Sequence, residues 1–228
     1  MPKDPSKRIL VVAAHPDDEV LGCGATIARY ISSGSRVLVL LLGMGLRSRR
    51  DERNSEEKIN ILHKESISAN KIIGVAKIVQ EDFPDNAFDS VPLLDIVRAI
   101  ENVCSDFNPG VVYTHSEYDV NVDHRLAFRA TQAVCRPTKA NSIKEVYSFE
   151  VPSSTEWNFG GNRFAPNVFV DVGRFMEEKK KALAAYSSEM RKFPHPRSME
   201  YIDSLSRVRG AQSGCRFAEA FQLIYKRL

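Results

Sequence analysis

Hydrophobic positions along the chain change period several times, and each change marks a predicted element. Residues 9–14 (ILVVAA) and 37–42 (VLVLLL) are unbroken aliphatic runs, the pattern of strands covered on both faces. A helix-like stretch over 21–32 lies between them and ends at Gly34, so this order predicts a βαβ unit of a parallel sheet. Residues 91–104 place apolar side chains three and four apart, which predicts an amphipathic helix; Pro109-Gly110 closes it ahead of a strand over 111–114. A rougher helical stripe covers 59–73, a short strand is expected over 76–79, and a helix over 125–135. Residues 145–149 and 167–172 alternate as strands do, and Gly173 opens a long expected helix through 191. The last strong element, 216–228, sets Phe217, Ala220, Phe221 and Ile224 on one face. No internal repeat, low-complexity segment or linker interrupts the pattern, so residues 1–228 are expected to form a single α/β domain with a mostly parallel sheet flanked by helices.

Composition narrows the class only a little. A chain of 228 residues, 43% hydrophobic and 27% charged, is long enough to bury a sizeable core without disulfides. A formal charge of +3 permits an anionic substrate but lacks the concentrated basic face that nucleic acid requires, so no nucleic-acid partner is expected. Cys23, Cys104, Cys135 and Cys215 are scattered, with no CxxC pair, and signal neither a zinc knuckle nor a disulfide framework. The apolar run after MPKDPSK is too short for a signal peptide, and no run approaches the roughly 18 residues of a membrane span. A soluble, cytoplasmic protein without membrane insertion is expected. A homo-oligomer remains open.

The chemistry gathers at strand ends. In an open parallel sheet, ligands bind beyond the carboxyl ends of the strands. The first predicted strand runs into His15, Pro16, Asp17, Asp18 and Glu19; the strand over 111–114 runs into His115, Glu117, Asp119, Asn121, Asp123 and His124. Topology therefore brings both clusters to one edge. A catalytic zinc takes three protein ligands from His and carboxylate and keeps a position for water. His15 and Asp18 can reach one ion across a tight turn, and His124 can complete the set. Asp17, beside the ion but not needed to bind it, suits the general base.

The string AHPDDEVLGCGATIARY closely resembles the opening of the PIG-L/LmbE family of zinc-dependent N-deacetylases, and VVYTHSEYDVNVDHRLA resembles its second motif. The likeness continues through FPDN at 83–86, more loosely through 147–157 and FPHPRS, and into RGAQSGCRFAEAF, covering nearly the whole chain. The resemblance implies a Rossmann-like sheet, one zinc ion per chain held by His15, Asp18 and His124, Asp17 as general base, and Asp123 orienting its neighbours, with Asp119 beside it. It also implies hydrolysis of an acetamide on a glucosamine-type sugar, in a subgroup associated with surface-glycan biosynthesis. Many relatives place a histidine where this chain has Asn121, which can donate a hydrogen bond to an oxyanion but cannot act as an acid toward the leaving amine. His195, in FPHPRS, is the candidate for that proton delivery.

Other residues carry weaker signals. Arg47, Arg49, Arg50 and Arg53 form a basic run at the same edge that could grip a substrate phosphate, with Arg53 the chosen substrate-binding candidate. Trp157, the sole tryptophan, could form a sugar platform. His115 reads as a buried, hydrogen-bonded histidine and His63 as a solvated one. Gly22-Cys23-Gly24 lacks the full dinucleotide fingerprint. The alternatives are a zinc hydrolase of another amide or ester, a family member that binds sugar without turnover, and a non-catalytic nucleotide-binding module, which the acidic first turn disfavours.

Overall fold

A computed structural model describes residues 7–44, 55–139 and 141–228. The first aliphatic run forms β1 (Arg8–Ala13) and the second β2 (Arg36–Gly43), joined by α1 (Asp18–Ser32). Then follow α2 (Ser55–Ile72), β3 (Lys77–Phe83), α3 (Leu93–Phe107), β4 (Val111–His115), α4 (Val122–Val134) and β5 (Glu145–Phe149). The chain closes with β6 (Val168–Asp171), α5 (Met176–Ala185), α6 (Met199–Ser213) and β7 (Ala218–Lys226). The strands make one seven-stranded sheet in the order β3-β2-β1-β4-β5-β7-β6. It is parallel from β3 to β5, and β7 enters antiparallel between β5 and β6.

Period-two alternation divides the core. Ile9, Val11, Ala13, Val39 and Leu41 pack with Leu21, Ile27, Leu62 and Leu183 on one face of the sheet, where α1, α2 and α5 lie. Leu10, Val12, Leu38, Leu40 and Leu42 pack with Ile96, Ile100, Ala127 and Ala130 from α3 and α4 on the other. Both faces of the central strands are covered, which is why their sequence shows no polar alternation.

Two C-terminal elements differ from the sequence expectation. Residues 216–228, whose one-face spacing is that of a helix, contain the strand β7. Here both faces meet protein at Ala218, Ala220 and Phe221, and the buried Glu219 breaks the apolar pattern a strand would show. The helix expected over 173–191 ends at Ala185, because the next residue, Tyr186, turns inward and its hydroxyl donates to Glu19 Oε1 (2.7 Å). Helix α6 had no clear apolar stripe. Its buried positions Ile202, Ser206 and Gly210 repeat every four residues but are mostly small; a Cβ on Gly210 would sit 2.7 Å from the Cys215 carbonyl oxygen.

Helix α1 is kinked at Cys23, whose φ and ψ are −147° and 22°. A buried ion pair splints the break. Glu219 accepts from Ala25 N (3.1 Å) and Thr26 N (2.7 Å), where the helix restarts. Lys179 Nζ donates to Glu219 Oε1 (2.6 Å) and to the Leu21 carbonyl (2.8 Å) on the near side. The kink also lets Gly22 lie against Phe149, where a Cβ would be 2.3 Å from the ring. Among the described residues no helix is long and apolar enough to cross a membrane.

Candidate metal centre

Strands β1 and β4 are hydrogen-bonded neighbours, with Val11 opposite Tyr113, so the segments following them emerge side by side. After β1 the chain turns at once. Asp17 adopts φ 97°, a left-handed conformation that strains a residue with a Cβ. Its carbonyl accepts from Val20 N (3.0 Å) and Leu21 N (2.8 Å), and His15 N donates to Asp18 Oδ2 (2.9 Å). This turn brings His15 and Asp18 to one side. After β4, Asn121 caps α4: its Oδ1 accepts from Asp123 N (2.8 Å) and His124 N (3.4 Å), fixing the first turn that bears both residues.

His15 Nδ1 stands 3.4 Å from Asp18 Oδ2, and His124 Nε2 stands 3.3 Å from the same oxygen. One ligand atom from each of the three residues lies within 4.8 Å of the other two, and all three side chains are buried. The outward ring nitrogens meet carboxylates. His15 Nε2 is 2.9 Å from Asp123 Oδ2 and 3.2 Å from Asp85 Oδ1; His124 Nδ1 is 3.1 Å from Asp119 Oδ2. Such pairing sets the tautomer that leaves the inner nitrogen free to ligate. The carboxylates are themselves held: Asp123 accepts from Asn86 N (2.6 Å) and Phe88 N (3.0 Å), and Asp119 from Ser154 Oγ, Thr155 Oγ1 (2.6 Å) and Asn121 N (2.8 Å).

Two imidazoles and a carboxylate suit a divalent ion such as zinc, and the protein's own electrostatics agree. Burial opposes a charged His15, yet its hydrogen bonds to Asp123 and Asp18 push its pKa up to about 10. Burial likewise opposes a charged His124, but Asp18 and Asp119 raise it to about 9. Without a metal, the carboxylates draw protons onto the histidines; the cluster calls for positive charge. Asp18 Oδ1 is buried with no hydrogen-bond partner, an open position that a ligated ion would explain.

Asp17 lies in the opposite environment. Burial pushes its carboxyl well above the ordinary range, Arg197 works against that, and Asp18, Glu189 and Glu19 add to it. Its Oδ2 accepts from Arg197 Nη1 (2.7 Å), while Oδ1 is buried without a partner. Arg197 also bonds Glu189 Oε2 (3.1 Å) and Ser153 Oγ (2.9 Å). Glu19 braces the turn from below: Oε2 accepts from Asp17 N (3.1 Å), and Oε1 from Asn70 Nδ2 (2.7 Å) and Tyr186. Burial lifts its pKa to about 7.

The structure thus brings His15, Asp17, Asp18, Asp119, Asn121, Asp123 and His124 together. His115 is fully buried beneath them; its Nε2 accepts from Ala14 N (2.8 Å) and its ring stacks on His124 with centroids 3.9 Å apart. His195 sits at the margin. Its Nδ1 accepts from Arg197 N (3.1 Å), and its ring meets Trp157 edge-on at 6.2 Å. Arg47, Arg49, Arg50 and Arg53 lie outside the described residues. Sequence reasoning missed Arg197, although it stands two residues after His195 in a segment already singled out, because nothing local marks an ionic partner 180 residues distant. It also missed the Ser154 and Thr155 hydroxyls that hold Asp119.

Known proteins resemble this chain in sequence and in fold. The family described as PIG-L, GlcNAc-PI de-N-acetylase, matches residues 10–135. An uncharacterised deacetylase of Escherichia coli K12, YaiS, is 30% identical over 73% of this chain and 82% of that protein. The diacetylchitobiose deacetylase of Thermococcus kodakarensis is 28% identical over 96% of this chain and 83% of its own length. Among solved structures, the 4-carboxy-2-hydroxymuconate hydratase GalB of Pseudomonas putida superimposes with a TM-score of 0.77 at 24% identity, covering 97% of this chain and 98% of that one. That likeness speaks for the fold alone, since one fold hosts different reactions.

Proposed function

Because the chain belongs to the PIG-L family, we propose that it is a zinc-dependent deacetylase that removes the acetyl group from an N-acetylamino sugar, with one ion per chain. The observation that carries this reading is the buried His15–Asp18–His124 set beside a carboxylate, Asp17, that is held in place with one oxygen unpartnered. His15, Asp18 and His124 would hold the ion. When bound there, it supplies Lewis acidity toward the acetyl carbonyl and the attacking water.

The remaining chemistry belongs to side chains of this protein. Asp17 takes the proton from water through its unpartnered Oδ1, and its burial raises its affinity for that proton. Arg197 holds the other oxygen and so aims the base. Asp123 and Asp119 orient the two histidines. Asn121 has its oxygen committed to the helix cap and one amide hydrogen given to Asn86 Oδ1 (3.1 Å), so its second amide hydrogen is the candidate donor toward developing negative charge. His195, the candidate residue beside the leaving amine, has Nδ1 accepting from Arg197 N, so its neutral ring carries one hydrogen, on Nε2, with which it hydrogen-bonds the departing nitrogen while Asp17 passes on the proton it took from water. Burial, then Arg197 and Arg191, lower its pKa. Trp157, beside it, offers a face to the sugar ring. Surface-glycan biosynthesis in the cytoplasm is a setting consistent with such a reaction, and the diacetylchitobiose deacetylase relative supports a glucosamine-type substrate.

Metal analysis of the purified protein beside His15→Ala, with acetate release from a panel of N-acetylglucosamine derivatives, tests the reading. Near one zinc per chain, lost in the variant together with acetate release, is the expected result. Metal without acetate from any sugar would move the assignment to another amide or ester. No metal in either protein under chelator-free preparation would overturn it.

A further inference from the structure

A base that must meet one water needs its backbone held as well as its side chain. Asp17 stands at φ 97° and ψ −30°, a conformation that a residue with a Cβ keeps only where its surroundings impose it. Arg197 fixes the carboxylate through Oδ2. The backbone N–H is fixed by a different group, Glu19, whose Oε2 accepts from it (3.1 Å).

Glu19 can hold the turn only if its own carboxylate is anchored, and the anchor comes from far along the chain. Its Oε1 accepts from the Tyr186 hydroxyl (2.7 Å) and from Asn70 Nδ2 (2.7 Å), and all three side chains are buried. Asn70 gives its second amide hydrogen to the Ser66 carbonyl (3.0 Å), while its Oδ1 is buried without a partner. Leaving a buried acceptor unmade is costly, so donation to Glu19 sets how this amide points. Among the described residues, every donor to the Glu19 carboxylate is neutral, whereas the equally buried Glu219 is paired with Lys179. A carboxylate buried without a cation weakens a fold, and this one stands directly behind a strained residue of the site. Neutral donors hold it without adding a second positive charge near Asp17, whose proton affinity Arg197 already lowers.

The two anchors are also locked to each other. Ser187 Oγ donates to Glu65 Oε1 (2.8 Å) and Ser188 Oγ to Glu65 Oε2 (2.5 Å). Glu65 and Asn70 both lie on α2, and Ser187 and Ser188 follow Tyr186 where α5 ends. Tyr186 and Asn70 therefore reach Oε1 as parts of one clamped unit, and the segment that begins at Tyr186 runs on to Arg197.

We infer that Tyr186 is a positioning residue for Asp17: with Asn70 its hydroxyl fixes Glu19, and Glu19 fixes the backbone turn that presents the Asp17 carboxylate. This deepens the reading of Asp17 as general base and rests on it.

The test compares metal-loaded wild type with Tyr186→Phe, which keeps the ring and removes only the hydroxyl. Metal content and the visible spectrum of the cobalt-substituted protein should not change. The kcat for acetate release should fall about tenfold or more with KM unchanged, as for a slightly misplaced reacting group. The Asp17 amide resonance should move upfield in NMR spectra and its hydrogen exchange should quicken. In a Glu19→Gln background the same substitution should cost little more, because the path through Glu19 is already broken. A lower Tm with kcat and the Asp17 amide unchanged would make the hydroxyl a merely structural partner and overturn the inference. Loss of metal, an altered cobalt spectrum, or costs that add in the double variant would overturn it too. If Tyr186→Phe fails to fold, Asn70→Ala removes the other donor to the same oxygen and is read in the same way. If the wild type releases acetate from no substrate, the deacetylase reading fails and the amide alone decides: a shift in Tyr186→Phe supports the brace, and an unchanged resonance overturns it.

Discussion

Charge is buried in two places along α1, at its first turn and at its kink, and the two are satisfied to different degrees. At the kink, Glu219 accepts from Ala25 N, Thr26 N and Lys179, and Lys179 also donates to the Leu21 carbonyl. Each charge has fixed partners, as a buried ion pair must if it is not to weaken the fold. At the first turn, Asp17 and Asp18 each keep a buried oxygen with no partner, although they are packed as tightly. Neighbouring carboxylates there are also pushed apart. Burial raises both, but the cations and hydrogen bonds of His124, His15 and His115 carry Asp18 well below its ordinary value, while Asp17 stays well above. At the kink both carboxylate oxygens and the ammonium have partners. The first turn keeps capacity in reserve, which is what binding and proton transfer require.

Removing charge should therefore affect the two places through different observables. The largest effect is expected from Asp18→Ala: metal content near one per chain falls to background and acetate release stops, whereas the fold, followed by circular dichroism, persists. Glu219→Ala strands Lys179 and two helix N–H groups. It should cost about 3–5 kcal/mol, lowering Tm by roughly 6–20 °C in a calorimetric scan for a chain of this size; Glu219→Gln, which retains an acceptor, should cost less. Arg197→Ala should keep its metal but lose about 100-fold in kcat, the scale of a misplaced catalytic group. Because the Arg197 charge lowers the proton affinity of Asp17, its removal raises that affinity, and the acid limb of the kcat/KM profile should move to higher pH. Asp119→Asn should be the mildest, weakening metal affinity by about 10–100-fold in a competitive chelator titration. Equal Tm losses in the Asp18 and Glu219 variants would dissolve the distinction between the two clusters.

The division between legible and illegible residues follows chain distance. His15, Asp18, Asp119, Asp123 and His124 could be placed because each lies within a few residues of a strand end whose aliphatic run is visible, and parallel pairing brings those ends together. Ser154, Arg197, Lys179 and Glu219 act across the fold from loops, a helix and a strand with no such marker. Glu219 even obscured its own strand, since a carboxylate at the start of β7 resembles a solvent-facing residue until its two helix N–H partners are known. Tyr186 did the same for α5, where the periodicity continues but a hydrogen bond to Glu19 turns the chain inward. The small residues buried along α6 gave a stripe too weak to recognise.

Unbroken aliphatic runs, helical spacing and strand-end chemistry, being properties of neighbours in the chain, determined by themselves the parallel α/β architecture of the first half, the edge that carries the candidate site and the grouping there of His15, Asp18 and His124. Tertiary structure alone decided that β7 enters antiparallel, that Arg197 reaches Asp17, and that Asp123 and Asp119 take one histidine each. The physical reason is common to these cases. Local patterns report which face of an element is covered, whereas a hydrogen bond or ion pair between distant segments depends on where the rest of the chain has brought its partner.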